Sequence, residues 1–151
     1  MGTKRVGWAR IKSLINENQN ALQMRKKVTM TTTADTTLTA ADSGKTIFLD
    51  GSTTHDVTLP AAETGLTFTF ILVDATADVD IVQAAAAEDF VGCITAHNGK
   101  DTAETGDTKI IFDQSGGALP GDWITLTCYN DDDWYVQGNS NTSAAVVFNG
   151  A

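Results

Sequence analysis

Few residues in this chain can form covalent cross-links or rigid turns, since its 151 residues include two cysteines and two prolines. Two cysteines with no signal-peptide pattern before them do not indicate the disulfide framework of a small secreted protein. The N-terminal stretch has scattered charges and no long apolar run, and the most apolar stretch, 66–73, is too short to span a bilayer. The sequence therefore predicts a protein made in a cytosol and not bound to a membrane.

Basic side chains are scarce beyond residue 27. Residues 1–27 contain seven lysines and arginines and one glutamate, which gives +6, whereas residues 28–151 contain three lysines and eighteen acids, which gives −15. A basic segment attached to an acidic body suggests that the two meet different surfaces. The acidic body is expected to be soluble and to repel nucleic acid, so no nucleic-acid partner is predicted.

Motifs that would indicate an enzyme or a cofactor site are missing. The chain contains no GxSxG, GxGxxG, Walker or CxxC sequence, and His55 and His97 lie in polar stretches that we interpret as solvated loops. The consecutive acids Asp131–Asp133 are interpreted as an exposed hairpin turn, because a calcium loop spaces its acids alternately. We therefore predict no catalytic residues, no cofactor and no metal. A polysaccharide hydrolase is the alternative, and it would need a cleft with paired carboxylates.

Short apolar stretches alternate with turn residues from residue 28 onward, and this pattern predicts about nine strands. The predicted strands are Thr46–Asp50, Val57–Leu59, Leu66–Val73, Val79–Gln83, Phe90–Thr95, Thr108–Phe112, Trp123–Tyr129, Trp134–Gln137 and Val146–Phe148. We predict an all-β fold: an antiparallel β-sandwich or jelly-roll-like domain over residues 35–151, preceded by a basic N-terminal arm over residues 1–34.

The cysteines and most aromatic side chains fall in these predicted strands. Cys93 and Cys128 lie in apolar stretches and are predicted to be unlinked thiols, with a disulfide as the alternative. Four aromatic residues lie in a region without lysine or arginine, so they are predicted to belong to the core or a subunit interface, and not to stack on bases. These residues are Trp123, Tyr129, Trp134 and Tyr135.

The N-terminal arm has a weak helical pattern. The apolar residues at helical spacing are Ile11, Leu14, Ile15 and Leu22. Asn18 interrupts this stripe, so the arm is predicted to be a marginal helix or an extended segment that becomes ordered against a partner. Trp8 stands among basic residues, and an exposed tryptophan favours a docking arm over a disordered tail.

Five stretches of the chain resemble small virion proteins of tailed phages. They are TLTAADSGKTIFLD (Thr37–Asp50), VTLPA (Val57–Ala61), GLTFTFIL (Gly65–Leu72), GDWITL (Gly121–Leu126) and WYVQG (Trp134–Gly138). Such proteins are usually head decoration, or cement, proteins, and related sequences also occur in tail-associated components. The resemblance spans roughly residues 35–148 and consists of structural motifs, and the basic arm lies outside it.

The resemblance implies a structural protein that binds the outer surface of the assembled head, bridges major capsid subunits and thereby stabilises the shell. It also implies a homotrimer, in which Val146, Val147 and Phe148 would pack around an axis, an ordinary last strand being the alternative. The capsid-binding residues of the arm are then predicted to be Lys4, Arg5, Trp8, Arg10, Ile11, Lys12, Leu14 and Ile15.

Two alternatives to this arrangement are left open. In the first, the arm crosses to a neighbouring copy of the chain, because its positive charge also suits the acidic body of that copy. In the second, the protein belongs to a tail fibre or baseplate and binds a host glycan.

Overall fold

The computed structural model of the protein describes residues 10–13, 29–85, 87–104 and 106–150. Within these ranges residues 10–13 are helical, Ala40–Asp42 form a 3₁₀ turn, and all other regular elements are strands. The strands are β1 (Thr29–Thr32), β2 (Thr36–Thr37), β3 (Thr46–Asp50), β4 (His55–Thr58), β5 (Thr67–Asp74), β6 (Val79–Val82), β7 (Asp89–Ala96), β8 (Gly99–Thr102), β9 (Asp107–Phe112), β10 (Trp123–Cys128), β11 (Asp133–Ser140) and β12 (Val146–Gly150).

The strands form two sheets that pack together as a β-sandwich. The large sheet has seven strands in the order β1-β3-β5-β10-β11-β7-β8, and the small sheet has five in the order β12-β9-β6-β4-β2. The predicted all-β sandwich is thus confirmed, and each of the nine predicted strands is present within a few residues of its expected bounds. The sequence pattern missed the short strands β1, β2 and β8, which contain few large apolar side chains.

Both sheets are mixed, which corrects the prediction of antiparallel pairing. From β1 to β6 the chain passes alternately through the two sheets. As a result β1, β3 and β5 are parallel neighbours in the large sheet, and β2, β4 and β6 are parallel neighbours in the small one. Alternation of apolar and polar residues shows which side of a strand faces the core, but it does not show which strand lies beside it.

The turn after β3 shows how the chain changes sheets. A Cβ atom on Gly51 would lie 2.5 Å from the carbonyl oxygen of Asp74 and 2.8 Å from that of Ala77. The Gly51 N–H donates to Asp74 O at 3.0 Å, and its own carbonyl accepts from the Ala77 N–H at 2.6 Å. Only glycine permits this close approach to the next crossing turn. The segment forms an arch that connects β3 of the large sheet to β4 of the small one.

Strand β1 lies inside the segment that the sequence assigned to the arm. It pairs with β3 over four residues, and Thr32 is buried. The Thr32 hydroxyl lies 3.1 Å from Nε2 of His55 on β4, so this contact joins an edge of the large sheet to the small sheet. Among the described residues, the sandwich therefore includes Thr29–Thr32, which the predicted boundary at residue 35 assigned to the arm.

The core lies between the two sheets and has its largest side chain at Trp134 of β11, which is fully buried. The Trp134 ring packs on Phe68 with centroids 5.8 Å apart, and its Nε1–H donates to Oε2 of Glu88 at 3.2 Å. Glu88 is also buried and accepts the Ala62 N–H at 2.8 Å through its other oxygen. Each polar atom of the Trp134–Glu88 pair has a partner, as burial requires.

Candidate docking surface

Three of the eight arm residues predicted to bind a capsid fall within the described residues. Arg10, Ile11 and Lys12 are helical and exposed, and Ile11 leaves 38% of its surface accessible. The other five lie outside the described residues: Lys4, Arg5, Trp8, Leu14 and Ile15. The grouping of these side chains into one capsid-binding element stays a prediction.

The three C-terminal residues predicted at an oligomer interface have different surroundings. Val146 is fully buried in the core of its own chain. Phe148 is half-buried and packs on Phe90, with ring centroids 6.3 Å apart. Val147 lies on the outward side of β12, opposite Ile111 of β9. Only Val147 of the three directs its side chain away from the core, and the predicted trimer contact stays untested.

His55 corrects an expectation from the sequence, because it is buried on β4 and not in a solvated loop. Besides Thr32, its ring contacts the carbonyl oxygen of Thr53 through Nδ1 at 2.9 Å. Both ring nitrogens therefore make polar contacts within the sandwich, and one of these contacts joins the two sheets. His97 is exposed in the turn after β7, as predicted, and its Nδ1 lies 2.8 Å from Asn141 O.

The two cysteines are unlinked, as predicted. Cys128 is buried, and its thiol donates to Asn130 O at 2.7 Å. Burial raises the pKa of the Cys128 thiol above its ordinary value. Cys93 is only half-buried, on the outward side of β7.

Asp131 and Asp132 lie in the exposed hairpin turn between β10 and β11, as predicted, and Asp133 is the first residue of β11. Asn130 Oδ1 accepts the N–H groups of Asp132 at 3.1 Å and Asp133 at 2.6 Å. This side-chain cap is an ordinary Asx turn. The described part of the chain contains no group of three or more side chains placed to hold a metal ion.

The outward side of the large sheet, which we call the large-sheet face, is the most distinctive surface of the described residues. Strand register places uncharged side chains side by side across five strands. One row contains Phe48, Ile71, Trp123, Asn139 and Thr95, and the next contains Thr46, Thr69, Thr125, Gln137 and Cys93. Polar contacts within the face are local, such as Thr69 Oγ1 to Thr125 Oγ1 at 3.3 Å.

A third row on this face contains exposed aromatic side chains. Tyr135 pairs with Thr127 on β10 and Val91 on β7, and 43% of its surface is accessible. Tyr129, at the start of the hairpin turn, is 71% exposed and meets the Tyr135 ring edge-on, with centroids 5.8 Å apart. This geometry holds two large rings at the surface.

Three neighbouring shallow concavities that share lining residues cross this face, and together we call them the trough. It begins between Thr127, Tyr129 and Tyr135, and it continues past Val91 and Gln137. Its far end is lined by Asp89, Val91, Gly92, Cys93, Lys100, Thr102, Ala103, Glu104 and Asp133. The aromatic end is apolar, and charged groups gather at the end nearer β8.

The outward side of the small sheet, the small-sheet face, is acidic. Asp56 and Asp80 occupy paired positions on β4 and β6. Lys109 Nζ donates to Asp80 Oδ2 at 2.7 Å. The hydrogen bond to Asp80, aided by the nearby charges of Asp56 and Asp78, raises the pKa of Lys109 above its ordinary value. One lysine thus offsets several carboxylates on this face.

Comparisons of the chain with protein-family models, with curated proteins and with solved structures found no match. Among the described residues no helix is both long enough and apolar enough to cross a membrane.

Sequence reasoning located the aromatic residues but not the trough. Trp134 is a core residue, whereas Trp123, Tyr129 and Tyr135 are exposed. A core position is therefore confirmed for Trp134 alone, and an interface at the other three stays a prediction. Along β10, Trp123, Thr125 and Thr127 alternate with buried apolar residues, and this pattern indicates an outward row. The strand order β10-β11-β7-β8, which creates the trough, has no signature in the sequence.

Proposed function

We propose that this protein is a non-catalytic structural component of a tailed-phage virion, a decoration protein on the outer surface of the assembled head. In this proposal it binds neighbouring major capsid subunits, assembles as a homotrimer, and has no nucleic-acid or membrane partner. The resemblance of the five stretches supports this proposal, together with an all-β sandwich fold that suits a rigid structural protein.

The observation that carries the proposal is the coincidence of a charge boundary with the start of the sandwich. The basic segment ends at Lys27, and β1 begins at Thr29. A cation-rich segment preceding an acidic body can approach an acidic surface that repels the body itself. A decoration protein needs this division between a segment that attaches it and a body that stays outside.

Binding to a shell would stabilise the shell by linkage, since a ligand that binds only the assembled state shifts the equilibrium toward it. Repeated sites on the lattice let many copies of modest affinity act together. Apolar arm residues such as Trp8 and Ile11 would supply most of the affinity, and the lysines and arginines would set the association rate and its salt dependence.

Localisation on the particle tests the proposal directly. Electron microscopy of virions labelled with antibody against the chain should show label over the whole head. Label confined to the tail or baseplate would reject head decoration in favour of a tail component. Mass measurement of the purified chain checks the homotrimer separately, because a monomer both in solution and on the particle would exclude it.

Deletion of residues 1–27 tests the role of the arm. If the arm attaches the protein, the truncated chain should keep its fold and no longer sediment with undecorated heads. Sedimentation equal to that of the full chain would show that another surface makes the contact. A truncated chain that loses its oligomeric state would show that the arm joins neighbouring copies.

A further inference from the structure

The aromatic end of the trough presents surfaces suited to apolar C–H groups. Tyr129 and Tyr135 keep 71% and 43% of their surfaces accessible, and their edge-on contact fixes one ring against the other. The face of an aromatic ring carries partial negative charge and therefore attracts C–H groups of positive polarity. Sugar rings present such C–H groups on their flat sides.

The far end of the trough combines two kinds of hydrogen-bonding group. Asp89 and Asp133 occupy paired positions on β7 and β11, and Lys100 on β8 lines the same end. Ionised carboxylates only accept hydrogen bonds, whereas an ammonium group only donates them. A ligand that satisfies both kinds must donate and accept, and a hydroxyl group does both.

The charges of the trough select against anionic ligands. Asp89, Glu104 and Asp133 would repel an anionic polymer, as would the acidic body behind them. A cationic polymer would be attracted to this end, where Lys100 offsets only one of the three carboxylates, but it would find no carboxylate among Thr127, Tyr129 and Tyr135 at the aromatic end. A neutral ligand avoids the repulsion and can contact both ends of the trough.

We propose that this trough binds a neutral carbohydrate chain, with Tyr129 and Tyr135 stacking on sugar rings and the groups around Lys100 and Asp133 bonding to hydroxyls. From β10 to β8 the trough crosses three strand spacings, about 14 Å in all. That length suits several linked sugars better than one. The inference does not depend on where in a virion the protein resides, and the arm takes no part in it.

Titration of the full-length protein with oligosaccharides tests this site. The probes are the neutral hexasaccharides of glucose (α- and β-linked), mannose and galactose, with the free monosaccharides, a hyaluronan hexasaccharide and a ten-residue polylysine as comparisons. Calorimetry should show saturable binding of at least one neutral hexasaccharide, at least about tenfold tighter than its monosaccharide.

Matched variants assign that binding to the trough. Tyr135→Ala should weaken it by at least about tenfold, whereas Tyr135→Phe keeps the ring and should stay within about threefold. Thr58→Ala on the small-sheet face should leave the affinity unchanged, and thermal unfolding should confirm that all three variants are folded.

Three results would overturn the inference. The first is that no neutral hexasaccharide binds. The second is that Tyr135→Ala binds the hexasaccharide as tightly as the unmodified protein does. The third is that polylysine binds, in a way that Tyr135→Ala weakens, and that no sugar binds. The last result would assign the face to a basic protein segment.

Discussion

The two sheets of the sandwich bury similar side chains and expose different ones. Their inward positions are aliphatic or aromatic, as at Phe70 in the large sheet and Ile81 in the small sheet. Outward, the large sheet displays mainly threonine, amide and aromatic side chains, with charged groups at one end of the trough, whereas the small sheet displays Asp56, Asp80 and a paired Lys109. Burial determines the inward side chains in both sheets, but nothing in the packing of the core requires the outward side chains of the two sheets to differ.

This difference separates stability from recognition. Uncharged rows that cross five strands are unusual on a body with a net charge of −15 over residues 28–151. The centres of protein interfaces are depleted of charge and enriched in tyrosine and tryptophan. These rows and the aromatic end of the trough have this composition, whereas the charges of the large-sheet face gather at the other end of the trough. The small-sheet face has the composition of an ordinary solvated surface.

The largest expected effect contrasts the two sides of one strand. Trp134→Ala should lower the free energy of unfolding by about 4 kcal/mol, because it empties a core position and strands the buried Glu88 carboxylate. The adjacent outward variant Tyr135→Ala should cost less than about 1 kcal/mol. Urea denaturation of both variants measures this difference, and equal losses would show that the large-sheet face also contributes to the core.

A glycine in the large sheet should be nearly as sensitive. Gly92 has φ +136°, and a Cβ atom there would lie 2.1 Å from the carbonyl oxygen of Val136 on β11. Gly92→Ala should therefore destabilise the fold by about 3 kcal/mol, through backbone strain and separation of two paired strands.

Gly65 provides the control for this substitution, since it has φ +94° with open space around the Cβ position. Gly65→Ala should cost only about 1 kcal/mol. A similar loss for both variants in thermal unfolding would mean that the contact with Val136 is unimportant.

An intermediate effect tests the link between the sheets. Thr32→Val removes the hydroxyl that His55 contacts, and should cost about 1–2 kcal/mol because a buried ring nitrogen loses its partner. Thr31→Val, on the exposed side of the same strand, should change little. Hydrogen exchange should be faster in β1 of the Thr32 variant alone, and unchanged exchange would contradict the role of this contact.

The smallest effect concerns the small-sheet face. Lys109→Met removes the partner of Asp80 and should cost about 0.5 kcal/mol at low salt, since exposed ion pairs contribute little. The loss should vanish in about 1 M salt, where the Debye length is about 3 Å.

The pH dependence of this pair follows from the raised pKa of Lys109. The stabilisation is fully present below the ordinary lysine value of 10.5 and is lost as the pH rises through the higher folded value. The stability change caused by Thr125→Val on the large-sheet face should depend neither on salt nor on pH. Salt-independent destabilisation by Lys109→Met would indicate that packing of the lysine stem matters more than its charge.

The sequence predicted strands well because alternation is a local property. Phe68 and Phe70 alternate with threonines, and that spacing alone places them on the buried side of β5. Partners of strands depend on turns such as the arch at Gly51, whose contact with Asp74 joins residues far apart in sequence. His55 was misjudged for the same reason, since its polar neighbours in sequence are not its neighbours in space.

The sequence predicted some residues of the candidate site but not their arrangement. The aromatic residues near Asp131–Asp133 were recognised, and so was the hairpin turn between them. The trough depends on β7 and β8 lying beside β11, and the parallel pairing of β7 with β11 brings Asp89 next to Asp133. A pairing between segments more than 40 residues apart has no periodicity that a sequence can display.

The alternating course of the chain from β1 to β6 also has a mechanical consequence. Tension applied through the residues before Thr29 would act first on β1, which within the described part of the chain is an edge strand held by β3 alone, through four residues. Once β1 and β2 peel away, the load passes to β3 and β4, and then to β5, which β10 still holds on its other side. A protein tethered by its N-terminal segment would therefore unfold in several small steps, each of which releases one strand from each sheet. The strands that form the trough would bear the load last.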